Sequence, residues 1–422
     1  MTFAKIILGL AFLSLFGWMV KHITKGDKDY GFLNTPIKEL AGFPDLFEQS
    51  VEEVNGLPGT FIKTPKKFKA INTLQTDVKA LIPYSNAEKN RTIDLYNFRT
   101  EKAEHQWHVN MEGLGEHVRI QAPLMYEDSS LIYSCNQTTG FRRIDRDSKP
   151  IWEQDSIVSH HSLEKDHNGD VWGCTYNKEF NQVIIFRNFY EVEGDTIWFI
   201  ENSITKLDKN TGRILYNKSF SEILKENNLT YLIIKSGNSE DPLHMNDVQP
   251  ALKTTKWYNQ GDVFLSSRNL NCIIHYRPNT EKVIRVLEGP FVCQHDVDFL
   301  NDSTLVFFNN NNGVYSGQGT RYIKAPKSNS PYSLGKNHSS LMTYSFITGD
   351  YGTVNETAMK ENRIFSRTEG LQEQLSGGLM FVEEQNCGQL WILDGDKVVY
   401  NNVLNSHEEG YHHLPNWIRI LE

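Results

Sequence analysis

Most of the chain alternates between short apolar stretches and turns rich in Asn, Asp, Gly and Ser. Leu131-Ile132-Tyr133-Ser134 follows Glu127-Asp128-Ser129, and Val171-Trp172-Gly173-Cys174 follows Asp166-His167-Asn168-Gly169-Asp170. The same block returns at Val263-Phe264-Leu265-Ser266, Leu305-Val306-Phe307-Phe308 and Leu390-Trp391-Ile392-Leu393, each behind its own polar turn. A second half-block repeats as well: Ile93-Asp94-Leu95-Tyr96, Phe141-Arg142-Arg143-Ile144-Asp145, Ile204-Thr205-Lys206-Leu207-Asp208 and Ile273-Ile274-His275-Tyr276 each precede a turn and another short strand. Hairpins of this kind, recurring every ~40–60 residues, are the pattern of propeller blades. The spacing predicts an all-β, six-bladed β-propeller with blades near 60–115, 119–158, 161–225, 244–290, 295–370 and 376–402, and with Trp417-Ile418-Arg419-Ile420 returning to close the ring.

The pattern changes at the N-terminus, where Phe3 to Val20 is apolar except for Lys5 and is followed by Lys21, His22 and Lys25. This predicts a hydrophobic anchor helix or signal peptide over 1–25, and an uncleaved anchor is favoured because no small-x-small site follows the apolar run. Residues 26–59 read as a stalk or accessory segment, and 60–422 as the propeller, which places the body on the extracytoplasmic side of a membrane. Short helices are expected near Pro44–Val54 and Phe220–Asn227, and a long loop from Asn309 to Asn337.

Composition narrows the function. A net charge of −9 over 422 residues, with no run of five or six like charges, argues against a nucleic-acid partner and leaves any anion to a local pocket. The five cysteines form no CxxC pair or zinc spacing, no P-loop is present, and no carboxylate cluster suits a metal pair, so neither metal nor cofactor is expected. Cys293 reads as a small buried apolar residue.

The candidate chemistry lies in four polar interruptions: His160-His161, Leu243-His244-Met245-Asn246, Ser266-Ser267-Arg268-Asn269 and Gln294-His295-Asp296. His244 and His295 stand about one repeat apart, and His161 opens the preceding blade, so the repeat predicts three histidines at equivalent inner-strand positions facing one cavity, with Asn246 pointing the same way as His244 and Arg268 reaching the mouth. Taken singly, each is more often a structural residue. As a set they suit an anionic ligand, because unpaired buried donors cost several kcal/mol. Neutral imidazole is a nucleophile and a proton shuttle, and Arg and amide donors stabilise the oxygens of a group in flight. Without a metal pair, sulfuryl transfer fits better than phosphoryl transfer.

Together His160-His161-Ser162-Leu163, Leu243-His244-Met245-Asn246-Asp247-Val248, Asp262 through Asn269, and Gln294-His295-Asp296 with the following Asn309 resemble the bacterial arylsulfotransferases, six-bladed propellers, over residues 90–420. The resemblance implies a ping-pong reaction in which a phenolic sulfate ester gives its sulfuryl group to a histidine and a phenol then takes it, without a nucleotide. It assigns His295 as the nucleophile, His244, Asn246 and Arg268 as holders of the sulfate oxygens, and His161 as the further site histidine, with His160 as the alternative. The competing reading is a membrane-anchored propeller that binds a partner or an anionic glycan without catalysis. A quinone-dependent dehydrogenase is weaker, because no calcium and cofactor set stands out.

Overall fold

The computed structural model describes residues 2–25, 30–31, 61–87, 90–110, 118–135, 140–177, 187–192, 195–236, 238, 241–312, 314–316, 320–322 and 338–421. The chain divides into two compact units, Met1–Gly59 and Thr60–Glu422. In the first, a helix runs Thr2–Lys25, and among the described residues no helix is long and apolar enough to cross a membrane. The helix expected near Pro44–Val54 lies outside the described residues.

The second unit is a β-propeller of consecutive antiparallel sheets. Five sheets have four strands each. Blade one holds Lys79–Ala87, Asn90–Asn97 and Lys102–Asn110, and takes Arg419–Leu421 from the far end of the chain beside Lys79–Leu81. Blade two is Ile120–Met125, Leu131–Cys135, Phe141–Ile144 and Pro150–Gln154, and blade three is Ile157–Lys165, Val171–Asn177, Ser203–Leu207 and Ile214–Ser219. Blade four is Met245–Pro250, Val263–Ser267, Cys272–Arg277 and Lys282–Glu288, and blade five is His295–Asn301, Thr304–Asn309, Ser340–Ser345 and Tyr351–Val354.

The expected six-blade count needs correcting: five blades have the four-strand form. The block expected at 376–402 belongs instead to a seven-stranded sheet, in which Leu371–Gln374, Met380–Glu384, Gln389–Asp394 and Lys397–Asn405 continue into Tyr411–His413 and Phe61–Lys63, with Ile71–Asn72 on the side. A one-dimensional repeat cannot show this, because the added strands come from both ends of the domain. Blade three also begins earlier than expected, at Ile157, because Ile157 and Val158 pair with Asn177 and Tyr176. The Asn309–Asn337 stretch, expected as a loop, holds a small hairpin of Val314–Ser316 with Thr320–Tyr322.

Local chemistry explains the turns. In Asp166-His167-Asn168-Gly169-Asp170 the Asp166 carboxylate accepts from the backbone N–H of Asn168 and Asp170, and Gly169 takes φ +78°, which a Cβ would resist. The helix Phe220–Glu226 forms where expected: Ser219 accepts from the Glu222 N–H at 3.3 Å, a capping pair three residues apart. Neighbouring sheets share apolar clusters, such as Phe264, Val297, Leu305 and Phe307 between blades four and five, all fully buried. Side chains of this size stabilise by ~1.5–3 kcal/mol each when buried. These seams hold the innermost strands in fixed relation around the centre.

Candidate active site

The innermost strands of blades two to five all lose register, that of blade five a second time between Phe299 and Asn301. The breaks fall between Gln121 and Leu124, His160 and Leu163, Met245 and Asp247, and His295 and Val297. Ala122, His161 and Asp296 lie inside these bulges with φ of 44°, 62° and 53°, and His244, at φ 39°, stands just before its own. Left-handed backbone at a residue with a Cβ costs on the order of 1–3 kcal/mol. A regular strand would send His160 and His161 to opposite faces. The bulge re-aims them, and their ring centroids lie 4.0 Å apart.

The sequence residues do converge. The His161 ring lies 5.3 Å from that of His244 and 5.9 Å from that of His295, and the His160 ring lies 5.3 Å from that of His244. Their registers differ from the expected equivalence, however. The last paired residue before the bulge is His160 in blade three, Met245 in blade four and His295 in blade five. His161 enters from within its bulge and His244 from ahead of its strand, so the bulges, and not a repeated register, bring the three together.

The hydrogen bonds of His295 fix its tautomer. Nδ1 faces two acceptors, the Asn310 Oδ1 at 2.6 Å and the Cys293 carbonyl at 3.0 Å. The Asn310 amide cannot be turned round, since its Nδ2 donates to the carbonyls of Ser366 and Glu369. Nδ1 therefore carries the proton and Nε2 keeps a lone pair. Burial, aided by the Arg268 charge, pushes the ring's pKa down to about 3, so it is neutral at neutral pH. Burial likewise holds His160 and His161 well below the usual range, with the neighbouring rings adding to it.

His244 is set from the other side. Its Nδ1 donates to the Asp241 carboxylate, leaving Nε2 3.3 Å from the His161 Nε2. Burial alone would raise the Asp241 carboxyl, but His244 outweighs it and leaves the group below its ordinary value. Arg268 is buried, its backbone N–H donates to the His244 carbonyl at 3.0 Å, and its guanidinium donates to Asn269 at 2.8 Å. Among the described residues no carboxylate forms an ion pair with Arg268, so its charge is left for an anion. Asn246 is fully buried, and its Nδ2 donates to the Gln294 carbonyl at 2.7 Å, tying blade four to the strand of His295. That bond uses one of the two N–H donors of the amide.

Sequence reasoning missed Asp241, Asn310 and Trp417. Asn310 was passed over for Asn309, whose side chain instead holds the Val292 and Asn311 N–H groups; the asparagine run from Asn309 to Asn312 was the available signal. Trp417 sits at φ 51°, its ring 5.6 Å from that of His161 and 6.4 Å from that of His295. Asp247 supports the floor, accepting from the Ser162 hydroxyl of blade three at 2.5 Å and from the Val297 N–H of blade five at 2.8 Å.

Fold and site together define a β-propeller whose centre gathers four histidines, three of them buried, and an arginine with no carboxylate partner among the described residues, a set suited to transfer of an anionic group. The chain belongs to the arylsulfotransferase (ASST) family, whose model matches residues 113–402, and this makes a sulfotransferase its class of activity. No curated protein sequence matches it. Among solved structures, a protein of unknown function from Bacteroides caccae aligns at TM-score 0.50 and 11% identity, covering 82% of this chain and 99% of that one, and shares the fold. The hydrazine synthase of Kuenenia stuttgartiensis aligns at TM-score 0.43 and 10% identity over 74% of this chain and 72% of that one. The WD40 propeller domain of Doa1 aligns at 0.40 and 10% over 87% and 96%.

Proposed function

We propose that the chain moves a sulfuryl group from a phenolic sulfate ester to an acceptor phenol through a sulfated His295. In the first half, the Nε2 lone pair forms a bond to sulfur while the ester S–O bond breaks, and the phenol leaves as phenolate and takes its proton from solvent. In the second half, the acceptor hydroxyl gives its proton to the neutral His161–His244 pair, its oxygen bonds to sulfur, the N–S bond breaks, and the pair returns the proton to solvent. Arg268 holds charge on the nonbridging oxygens. The observation that carries this reading is the locked tautomer of His295, with Nδ1–H held by Asn310 and the Cys293 carbonyl. A fixed nucleophile needs no reorganisation as the bond forms.

Incubating the protein with p-nitrophenyl sulfate should yield a sulfated peptide containing Gln294-His295-Asp296, and His295→Ala should abolish both the adduct and turnover. Full turnover by that variant would sink the assignment. The same proposal places the propeller outside the cytoplasm on a membrane anchor, supported by the apolar run from Phe3 to Val20. Fractionation of cells making the full chain tests it: activity released with the cytoplasmic fraction would reject the location.

A further inference from the structure

The hydrogen bonds described above leave a group of ring nitrogens unexplained. His160 is 1% exposed, yet neither its Nδ1 nor its Nε2 has a hydrogen-bond partner, and the His161 Nδ1 has none either. A buried polar atom left without a partner costs on the order of 1–3 kcal/mol. A partnerless nitrogen on His160, beside the facing Nε2 atoms of His161 and His244, leaves a place for a ligand from outside the chain that takes one nitrogen from each ring.

We propose that His160, His161 and His244 form a binding site for a divalent transition ion of the zinc class, with Asp241 as the carboxylate behind it. Each of the three histidines offers one ring nitrogen, and these nitrogens all lie within 4.8 Å of one another. The spacing is informative. Zinc holds imidazole nitrogens at about 2.0–2.1 Å in a tetrahedron, and two corners of that tetrahedron lie about 3.3–3.4 Å apart. The His161 and His244 Nε2 atoms are 3.3 Å apart. A ligating histidine commonly donates its other N–H to a carboxylate, which fixes the ring and strengthens the donor. Asp241 stands in that place on the His244 Nδ1. An all-imidazole set favours zinc, cobalt, nickel or copper over magnesium or calcium, which take oxygen.

The backbone explains how neighbours in sequence can share one ion. The blade-three bulge and the left-handed φ of His161 turn adjacent side chains to one side. The His244 side chain is 22% exposed, which gives an ion a way in. Three protein ligands leave the fourth corner open to water or an anion. One consequence rests on the sulfotransferase reading: an ion here occupies the Nε2 atoms of His161 and His244 that would carry the transferred proton, so zinc should inhibit turnover reversibly. The ion-binding claim itself does not depend on that reading.

The test uses the full chain, freed of metal with a chelator and without substrate. Cobalt(II) titration should develop the visible absorption of a four-coordinate nitrogen site with one ion per chain, and zinc should displace it. His160→Ala should remove the spectrum, and Asp241→Asn should weaken zinc affinity by about 10–100-fold. If His160→Ala fails to fold, Asp241→Asn and the wild-type spectrum decide the matter. Only octahedral cobalt absorption, or zinc affinity unchanged in the folded variants, overturns the site. Zinc binding without sulfuryl transfer would leave the site standing and remove the proposed activity; transfer without zinc binding would do the reverse.

Discussion

Replacing Asn310 by alanine probes how far the nucleophile depends on being held. The change removes the nearer of two acceptors on the His295 Nδ1, at 2.6 Å, and leaves the Cys293 carbonyl at 3.0 Å. A hydrogen bond of this kind contributes about 0.5–1.5 kcal/mol net. Since about 1.4 kcal/mol is tenfold in rate, kcat should fall by about two- to twelvefold. KM for the sulfate donor should stay near the wild-type value, because Asn310 lies on the Nδ1 side of the ring and not on the lone pair. Alanine also strips donors from the buried Ser366 carbonyl and the half-buried Glu369 carbonyl, so thermal stability should drop by about 1–3 kcal/mol. The assay is initial-rate transfer from p-nitrophenyl sulfate to phenol, with the nitrophenol burst isolating the first half-reaction. A folded variant with unchanged kcat, or with its whole defect in KM, would refute the argument.

Two further changes test the frame around the site. Burial raises the Glu383 carboxyl to about 8, while the unfolded chain titrates near about 4.3, so between about pH 5 and 8 the folded form keeps a proton that the unfolded form has lost. Stability from this group is complete below the unfolded value and fades as pH rises through the folded one. Glu383→Gln, which can still accept from the Ile418 N–H, should lose less stability than wild type over that range in urea melts, and parallel slopes would contradict the assignment. Arg419 bonds the Glu164 carboxylate and the Leu163 carbonyl and lies 3.8 Å from Glu373. Arg419→Met strands these carboxylates and should cost about 3–5 kcal/mol; a loss under about 1 kcal/mol would show that ring closure does not rest on that pair.

The hairpins, the propeller and the convergence of His161, His244, Arg268 and His295 were legible in the chain, because period-two strands and polar turns are set by local chemistry and the repeat places successive inner strands side by side. The same sequence could not show that Tyr411–His413 and Phe61–Lys63 extend the last sheet, since residues some 350 positions apart in sequence pair only once the ring has closed. Nor could it show that His160 turns to the same side as His161. That depends on a two-residue bulge, His161 and Ser162, and on a left-handed backbone at His161. Sequence sets which strands line the centre; tertiary structure decides which side chains turn into it and which nitrogen of each ring is free, because the acceptors that choose the tautomer, Asp241, Asn310 and the Cys293 carbonyl, arrive from loops whose positions the fold alone determines.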